Sequence, residues 1–266
     1  MDNINTSTLP IGFFDSGVGG LSVLVRFREL LPAENLIYFG DTIHLPYGNK
    51  SKDELIGYAR YILNFMQKQN VKAVIIACNT SSAQAYDTVK GDYNFPIYPI
   101  IQTSAKELMK NNYDRIGVFA TEATVKSGKY TSELIKYNPN IKVKEMASKN
   151  WVSIVEKTSL NIDEDIKNIE TEINEMLAFK PDKIILGCTH YPYLLEYLTK
   201  YAPKEIFIDP AILFVSSVKA DLEDKNLLPK NANNKGYEKY FVSSNPEAFV
   251  KNAKIFCNIK ELPTIV

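Results

Sequence analysis

The chain has 266 residues, 45% of them hydrophobic and 23% charged, which is typical of a globular protein with one large or two modest domains. Its 31 basic and 31 acidic side chains cancel, so the overall charge does not favour nucleic acid or an anionic membrane surface as a partner. No apolar run approaches the roughly 20 residues of a membrane span, and the first ten residues lack the pattern of a signal peptide, so we expect a cytoplasmic protein.

Short apolar strands alternate with helical patterns over the first part of the chain. Ser51 and Glu54 form the pattern of a capping box and mark the start of the second helix. Alternation of this kind predicts parallel strands that are covered by helices on both faces. The predicted strands are 9–14, 36–39, 71–77 and 97–100, and the predicted helices are 21–31, 51–69 and 83–89.

A second alternating series follows, which favours an α/β fold of two similar domains, each a mostly parallel sheet flanked by helices, with the active site in the cleft between them. A short helix or turn is predicted at 151–156 and a polar surface loop at 226–236. The predicted strands are 115–120, 141–146, 183–186, 205–208 and 240–242, and the predicted helices are 121–139, 162–177, 191–201, 211–222 and 246–256.

Two strands, one in each series, end in the same way. Each runs into a small residue and then a cysteine: Cys78 is followed by Asn79-Thr80, and Cys188 by Thr189-His190. Ligands of open α/β sheets bind outside the carboxyl ends of the strands. A lone free cysteine is often buried and inert, but two at matching strand ends favour a function.

The number and spacing of the cysteines and histidines argue against CxxC-type redox chemistry and against a zinc site. The three cysteines have no CxxC spacing, so we expect free thiols, and Cys257 is interpreted as a packing residue. A zinc site at Cys188 and His190 is disfavoured, because His44 is the only other histidine and no ligand cluster accompanies it. We expect His190 to tune Cys188 or relay a proton for it; the alternative is a structural hydrogen bond.

Two loops add candidate ligand contacts. The glycine-rich turn 15–20 lies between a strand and a helix, where backbone N–H groups can bind an anion, although a turn that merely needs glycine is the alternative. It matches neither nucleotide-binding fingerprint, and Asp15 favours a ligand with a positive group such as an amine. We expect the loop at Tyr47-Gly48, after Pro46, to be exposed and to supply a hydroxyl and a backbone N–H.

These motifs together resemble the glutamate racemase family. The matching segments occur in the family's order from the first strand to the last helix. They are Phe14-Asp15-Ser16-Gly17-Val18-Gly19-Gly20-Leu21, Tyr38-Phe39-Gly40-Asp41-Thr42, Pro46-Tyr47-Gly48, Ala77-Cys78-Asn79-Thr80, Ala123-Thr124-Val125 with Ser127-Gly128, Gly187-Cys188-Thr189-His190-Tyr191-Pro192, Tyr240-Phe241-Val242 and Pro246-Glu247-Ala248-Phe249.

The resemblance implies a cofactor-independent enzyme that interconverts L- and D-glutamate and supplies D-glutamate for peptidoglycan. It implies a first domain of residues 1–98 plus 210–266, a second domain of residues 99–209, and a homodimer. It implies neither a metal nor a nucleic-acid or membrane partner.

The resemblance also assigns roles by position. Cys78 and Cys188 become the acid and base on opposite faces of the substrate, and Cys78 is implied to act on D-glutamate and Cys188 on L-glutamate. The further catalytic candidates are Asp15, His190 and Glu156. The substrate-binding candidates are Asp15, Ser16, Tyr47, Gly48, Asn79, Thr80, Thr121, Thr189 and His190. The chain departs from the family at His44, where arginine is common, at Pro210, where serine is common, and along the stretch 151–156.

Two thiols suit this reaction because one must act as thiolate base while the other acts as thiol acid. Free cysteine has a pKa of about 8.5, within reach of neutral pH by modest tuning. Three competing hypotheses remain: a racemase for another amino acid such as aspartate, an amino-acid binding protein that uses the same cleft, and a redox protein in which Cys78 and Cys188 form a disulfide.

Overall fold

The structure, a computed structural model, describes residues 6–159, 161–229 and 235–266. Its strands in chain order are β1 (Ile11–Asp15), β2 (Leu36–Gly40), β3 (Ala73–Ile76), β4 (Ile97–Pro99), β5 (Arg115–Ala120), β6 (Lys142–Ala147), β7 (Lys183–Gly187), β8 (Phe207–Ile208), β9 (Glu238–Val242) and β10 (Thr264–Ile265).

The α-helices are α1 (Leu21–Leu30), α2 (Lys52–Lys68), α3 (Asn79–Gln84), α4 (Tyr86–Val89), α5 (Ile100–Leu108), α6 (Glu122–Ser127), α7 (Lys129–Ile135), α8 (Trp151–Val155), α9 (Ile162–Ala178), α10 (Leu195–Leu198), α11 (Pro210–Asp224) and α12 (Pro246–Ala253). Short 3₁₀ turns cover Thr6–Thr8, Thr42–His44, Tyr47–Asn49, Tyr191–Leu194 and Lys204–Ile206. In the described part of the chain, no helix has both the length and the apolarity needed to cross a bilayer.

The strands form two separate parallel sheets, which confirms the predicted α/β class. The first has the order β10-β9-β2-β1-β3-β4 and the second the order β6-β5-β7-β8. Every recorded strand pair is parallel. Strand β3, which leads to Cys78, therefore belongs to one sheet, and β7, which leads to Cys188, belongs to the other.

Strand β1 lies inside the first sheet, and all five of its residues are buried. Its neighbouring side chains point to opposite faces, so each face needs its own cover. Phe13 packs edge-to-face on Phe27 of α1, with ring centroids 5.2 Å apart. Phe14 lies in a different cluster, which includes Ile62 and Met66 of α2.

One hydrophobic cluster is shared by both sheets. It contains Ile75 of β3 and Val118 of β5, together with buried residues of α1, α5 and α11. Helix α11 packs against both α1 and α5. Helices α1 and α11 belong to the predicted first domain and α5 to the predicted second domain, yet all three share this core. The domain boundaries at residues 98–99 and 209–210 therefore stay a prediction.

The elements differ from the predicted ones in several places. Helix α5 and strand β10 were not predicted, and the single helix predicted around residues 83–89 is two short helices, α3 and α4. The predicted helix 121–139 is broken at Gly128, whose φ of 60° ends α6 in the left-handed region that glycine tolerates. The predicted helix 191–201 begins as a 3₁₀ turn. Of the predicted loop 226–236, residues 230–234 lie outside the described residues.

Candidate active site

Cys78 connects β3 to α3. Its Sγ is the N-cap acceptor for the backbone N–H of Ser81, at 3.4 Å, and the residue is only 5% exposed. Burial, followed by the negative charge of Asp15, raises the pKa of Cys78 to about 12. In this closed site, Cys78 is therefore held as the neutral thiol at neutral pH.

Cys188 follows β7 and is equally enclosed, at 8% exposed. Its Sγ lies 3.8 Å from Nδ1 of His190, and Nε2 of the same ring lies 2.8 Å from Oε1 of Glu156. Burial alone lowers the pKa of His190, but its hydrogen bonds to Cys188 and Glu156 raise it, and the net result is about 10. The imidazolium form is thus favoured at neutral pH, and it places a positive charge beside Cys188.

The glycine-rich turn lies between the two cysteine corners. A Cβ added to Gly19 would meet Oγ1 of Thr189 and come within 2.5 Å of Cε1 of His190. The turn that leaves β1 is therefore in direct contact with the residues that follow Cys188. This close approach explains why a side chain is absent at this position.

Asp15 is buried at the start of that turn, 1% exposed, and its Oδ1 accepts a hydrogen bond of 3.0 Å from the backbone N–H of Gly17. Burial raises the pKa of Asp15, while that hydrogen bond and the charge of His190 lower it. Asp15 and Cys188 both raise the pKa of Cys78 through their charge, so all three groups interact electrostatically. The two thiols thus belong to one electrostatic environment.

A cluster of hydroxyl groups lies beside the first corner. Oγ1 of Thr80 is 2.9 Å from Oγ1 of Thr121, which is 3.0 Å from Oγ1 of Thr124. Gly48 packs against Thr121, since a Cβ added to this glycine would lie 3.4 Å from Cβ of Thr121. Residues from three distant parts of the chain therefore converge here.

Asn79, the residue after Cys78, contributes a side-chain amide to the first corner. Its Oδ1 accepts a 2.7 Å hydrogen bond from the hydroxyl of Tyr130, whereas its Nδ2 is buried and has no partner among the described residues. An unpaired buried donor of this kind is rare in native proteins and needs an explanation. It suits a ligand that presents an oxygen acceptor.

Tyr47 is buried, although the sequence suggested an exposed loop there. Its hydroxyl donates to Asp41, whose carboxylate also lies 2.8 Å from Nδ1 of His44. The ring of His44 stacks on Tyr58, with centroids 3.9 Å apart. The histidine that departs from the family pattern therefore helps to fix Asp41, and through it Tyr47.

The structure places every predicted site residue near one of the two corners, and their roles stay predictions. Cys78, Asp15, Tyr47, Asn79, Thr80, Cys188, Thr189 and His190 are buried, whereas Ser16, Gly48, Thr121 and Glu156 are only partly buried. Sequence reasoning missed Tyr130, Asp41 and Thr124. Asp41 and Thr124 stood inside matched motifs, but Tyr130 follows no strand end and carried no signal.

Among residues 6–159, 161–229 and 235–266, no three His, Cys, Asp or Glu side chains are grouped so that they could hold a metal ion.

Comparison with known proteins gives a consistent result. The Asp/Glu/Hydantoin racemase family model matches residues 20–218. A glutamate racemase from Picosynechococcus sp. is 37% identical over 251 residues, which cover 94% of this chain and 89% of that protein.

Solved structures agree with these matches. The glutamate racemase of Francisella tularensis, crystallised with D-glutamate, superposes with a TM-score of 0.86 at 32% identity and covers 98% of both chains. The glutamate racemase of Thermus thermophilus, crystallised with β-chloro-D-alanine, has a TM-score of 0.84 at 32% identity and covers 98% of this chain and 97% of that one.

Proposed function

The chain belongs to the Asp/Glu/hydantoin racemase family, and we propose that it interconverts L- and D-glutamate without a cofactor, by a two-base mechanism at Cys78 and Cys188. The observation that carries this proposal is that two buried cysteines, each at the end of a strand of a different sheet, flank the turn that follows Asp15, where Gly19 lies against Thr189 and His190. Close relatives named glutamate racemase, at 37% identity over nearly the whole chain, support glutamate as the substrate.

The two thiols differ in a way that suits opposite roles. Cys188 lies beside the imidazolium of His190, which stabilises a thiolate, whereas the burial of Cys78 stabilises its thiol. In this protonation state Cys188 removes the Cα proton as its S–H bond forms, and Cys78 donates its own proton to the opposite face of the carbanion. The product is the other enantiomer, and the enzyme is left with the thiol on Cys188 and the thiolate on Cys78.

The site must also stabilise the carbanion, because a Cα proton is far less acidic than a thiol. Preorganised hydrogen bonds to the α-carboxylate can do this, and we assign them to Nδ2 of Asn79, which is buried without a partner among the described residues, and to Oγ1 of Thr80, the next residue along the chain. Asp15 offers its carboxylate to the substrate ammonium. This contact keeps the ammonium protonated, and its positive charge stabilises the carbanion. Ser16, Tyr47, Gly48, Thr121 and Thr189 complete the proposed binding site.

The cellular role is inferred from the proposed activity, and the dimer from the resemblance to the glutamate racemase family. We infer that the enzyme acts in the cytoplasm as a homodimer and supplies D-glutamate for peptidoglycan synthesis.

Single serine variants test the proposal. Cys78→Ser and Cys188→Ser should each lower kcat for racemisation by roughly a thousandfold or more, since a hydroxyl is a far weaker acid and base than a thiol. Cys257→Ser is the matched control and should keep normal turnover. Circular dichroism of L-glutamate, D-glutamate and L-aspartate solutions without pyridoxal phosphate provides the readout. Near-normal turnover in either variant would refute the mechanism, and faster turnover of aspartate would refute the substrate.

A further inference from the structure

A buried tyrosine joins the two cysteine corners. Tyr130 of α7 is fully buried, and its hydroxyl donates the 2.7 Å hydrogen bond to Asn79, the residue after Cys78. Its ring lies against Gly187, the residue before Cys188, because a Cβ added to that glycine would come 2.8 Å from Cε2 of Tyr130. A single side chain therefore contacts the neighbours of both thiols.

The hydrogen bond accompanies one orientation of the Asn79 amide in this structure. With Oδ1 accepting from Tyr130, the Nδ2 group is left buried and unpaired. An amide NH₂ can only donate, so it fits a carboxylate oxygen. The reversed amide would present its oxygen to that carboxylate and would repel it.

The surroundings keep Tyr130 as a donor. Burial raises the pKa of its phenol, and the nearby Glu145, Cys188 and Asp209 raise it further through their charge. The hydroxyl therefore stays protonated throughout the range in which a thiol enzyme works. Gly128 ends α6 two residues before Tyr130, so Tyr130 lies in the first turn of α7.

We propose that Tyr130 is a positioning residue that holds Asn79 with its Nδ2 directed at a carboxylate of the substrate, and that its ring maintains the spacing of the two cysteine corners. The inference rests on the proposed function, since it names the residue that orients that substrate. Tyr130 acts through Asn79 and does not need to touch the reacting atoms.

Tyr130→Phe isolates the hydroxyl, because the ring that packs on Gly187 is retained. The KM for both enantiomers should rise roughly tenfold, since the loss leaves a buried amide without its orienting partner. The pH profile of kcat should stay unchanged, because the thiols and His190 are untouched. Tyr98→Phe is the matched control: its hydroxyl bonds to Asp221 at 2.5 Å, and its loss should leave KM unchanged.

Calorimetric titration of the full chain with D-glutamate measures binding independently of turnover. Tyr130→Phe should weaken binding in the wild-type background and produce no further weakening in Asn79→Ala, because coupled residues are not additive. Unchanged affinity in Tyr130→Phe, or independent effects of the two substitutions, would overturn the inference while leaving the racemase proposal intact. If Tyr130→Phe weakens D-glutamate binding but the wild-type protein shows no racemase activity, the positioning role of Tyr130 is supported and the proposed function is refuted.

Discussion

His190 is the residue that makes the two thiols unequal. Its ring contacts Cys188 on one side and Glu156 on the other, and no comparable cation contacts Cys78 within the described residues. A folded-state pKa of about 10, above the ordinary value of 6.5, means that the imidazolium persists across neutral pH and is lost as pH rises through 10. The alkaline limb of activity should report this loss.

Glu156→Gln should therefore move the alkaline limb of kcat/KM to lower pH, since it removes a charge that raises the pKa of His190. The fall at pH 9 should be roughly tenfold and equal in both directions, because the two enantiomers have equal free energies. Glu145→Gln removes a partly buried carboxylate that is bonded to Thr131 and should leave the profile in place. A pH profile that is identical in Glu156→Gln and the wild type would contradict this role.

Gly19 is the residue that most directly brings the corners together. Gly19→Ala should lower kcat by at least about tenfold and destabilise the fold by roughly 1–3 kcal/mol, because its Cβ would collide with Thr189 and His190. Gly57→Ala in α2 is the matched control: nothing lies within 4 Å of the added Cβ, so the substitution should stabilise the helix by about 1 kcal/mol. Thermal melts and steady-state rates measure stability and turnover of both variants. A Gly19→Ala variant with wild-type kcat and stability would contradict the close contact of Gly19 with Thr189 and His190.

At the scale of single residues, sequence reasoning finds the side chains that come directly after a strand end. Cys78, Cys188 and His190 stand out for that reason, because parallel strands deliver their next residues to a common edge. Tyr130 lies within a helix and looks like any core aromatic residue. Its role depends on a contact with Asn79 across 51 positions of the chain, which no local pattern carries.

At the scale of elements, the segment from Asp41 to Gly48 is a loop held at both ends. Thr42 bonds at 2.6 Å to the carbonyl of Ser244, and the hydroxyl of Tyr47 donates back to Asp41. Asp41 also binds His44, so one carboxylate organises the whole segment. The loop thereby presents Gly48 to the hydroxyl cluster around Thr121.

Asp41→Asn should raise the KM for glutamate by roughly fivefold with a smaller change in kcat, because the loop loses the charged acceptor of Tyr47 and His44. Asp92→Asn is a fitting control, since Asp92 is exposed and forms only a surface ion pair with Arg60 at 3.2 Å. Steady-state kinetics on both variants measures the effect. Equal KM values for Asp41→Asn and the wild type would show that the loop needs no such anchor.

The strand and helix alternation predicts the parallel sheets because buried strands and amphipathic helices differ in apolar period. Helix α5 was missed because it begins at Ile100, immediately after β4 ends at Pro99, so no polar turn separates the two. The break at Gly128 was missed because a single glycine inside a helical pattern is often tolerated. Proline is well suited to position 210, where the family commonly has serine, because it occupies the first turn of α11, directly after the N-cap Asp209.

At the scale of the whole molecule, the two sheets are joined both by a common core and by polar contacts beside the site. Nε2 of Gln84 donates a 2.8 Å hydrogen bond to the carbonyl of Ala123, and Lys129 pairs with Asp87. Both thiols are nearly inaccessible in this arrangement. We therefore expect these contacts to open when the proposed substrate, glutamate, enters.

Thiol labelling tests this requirement for opening. Cys78 and Cys188 should react slowly with a bulky disulfide reagent, and saturating D-glutamate should slow them further, because the ligand binds the closed form. Cys257, which is partly exposed, is the internal control and should label at the same rate with and without ligand. Mass spectrometry of labelled peptides separates the three. Equal protection of all three cysteines, or of none, would contradict a ligand-closed site.

The central claim is that two thiols act on opposite faces of a single carbon atom. Conversion of L-glutamate in heavy water, followed by mass spectrometry of each enantiomer at early times, tests it most directly. The account predicts that the D-glutamate formed carries solvent deuterium at Cα, while the remaining L-glutamate still carries hydrogen. Deuterium appearing early in L-glutamate, or D-glutamate that retains the original hydrogen, would contradict it.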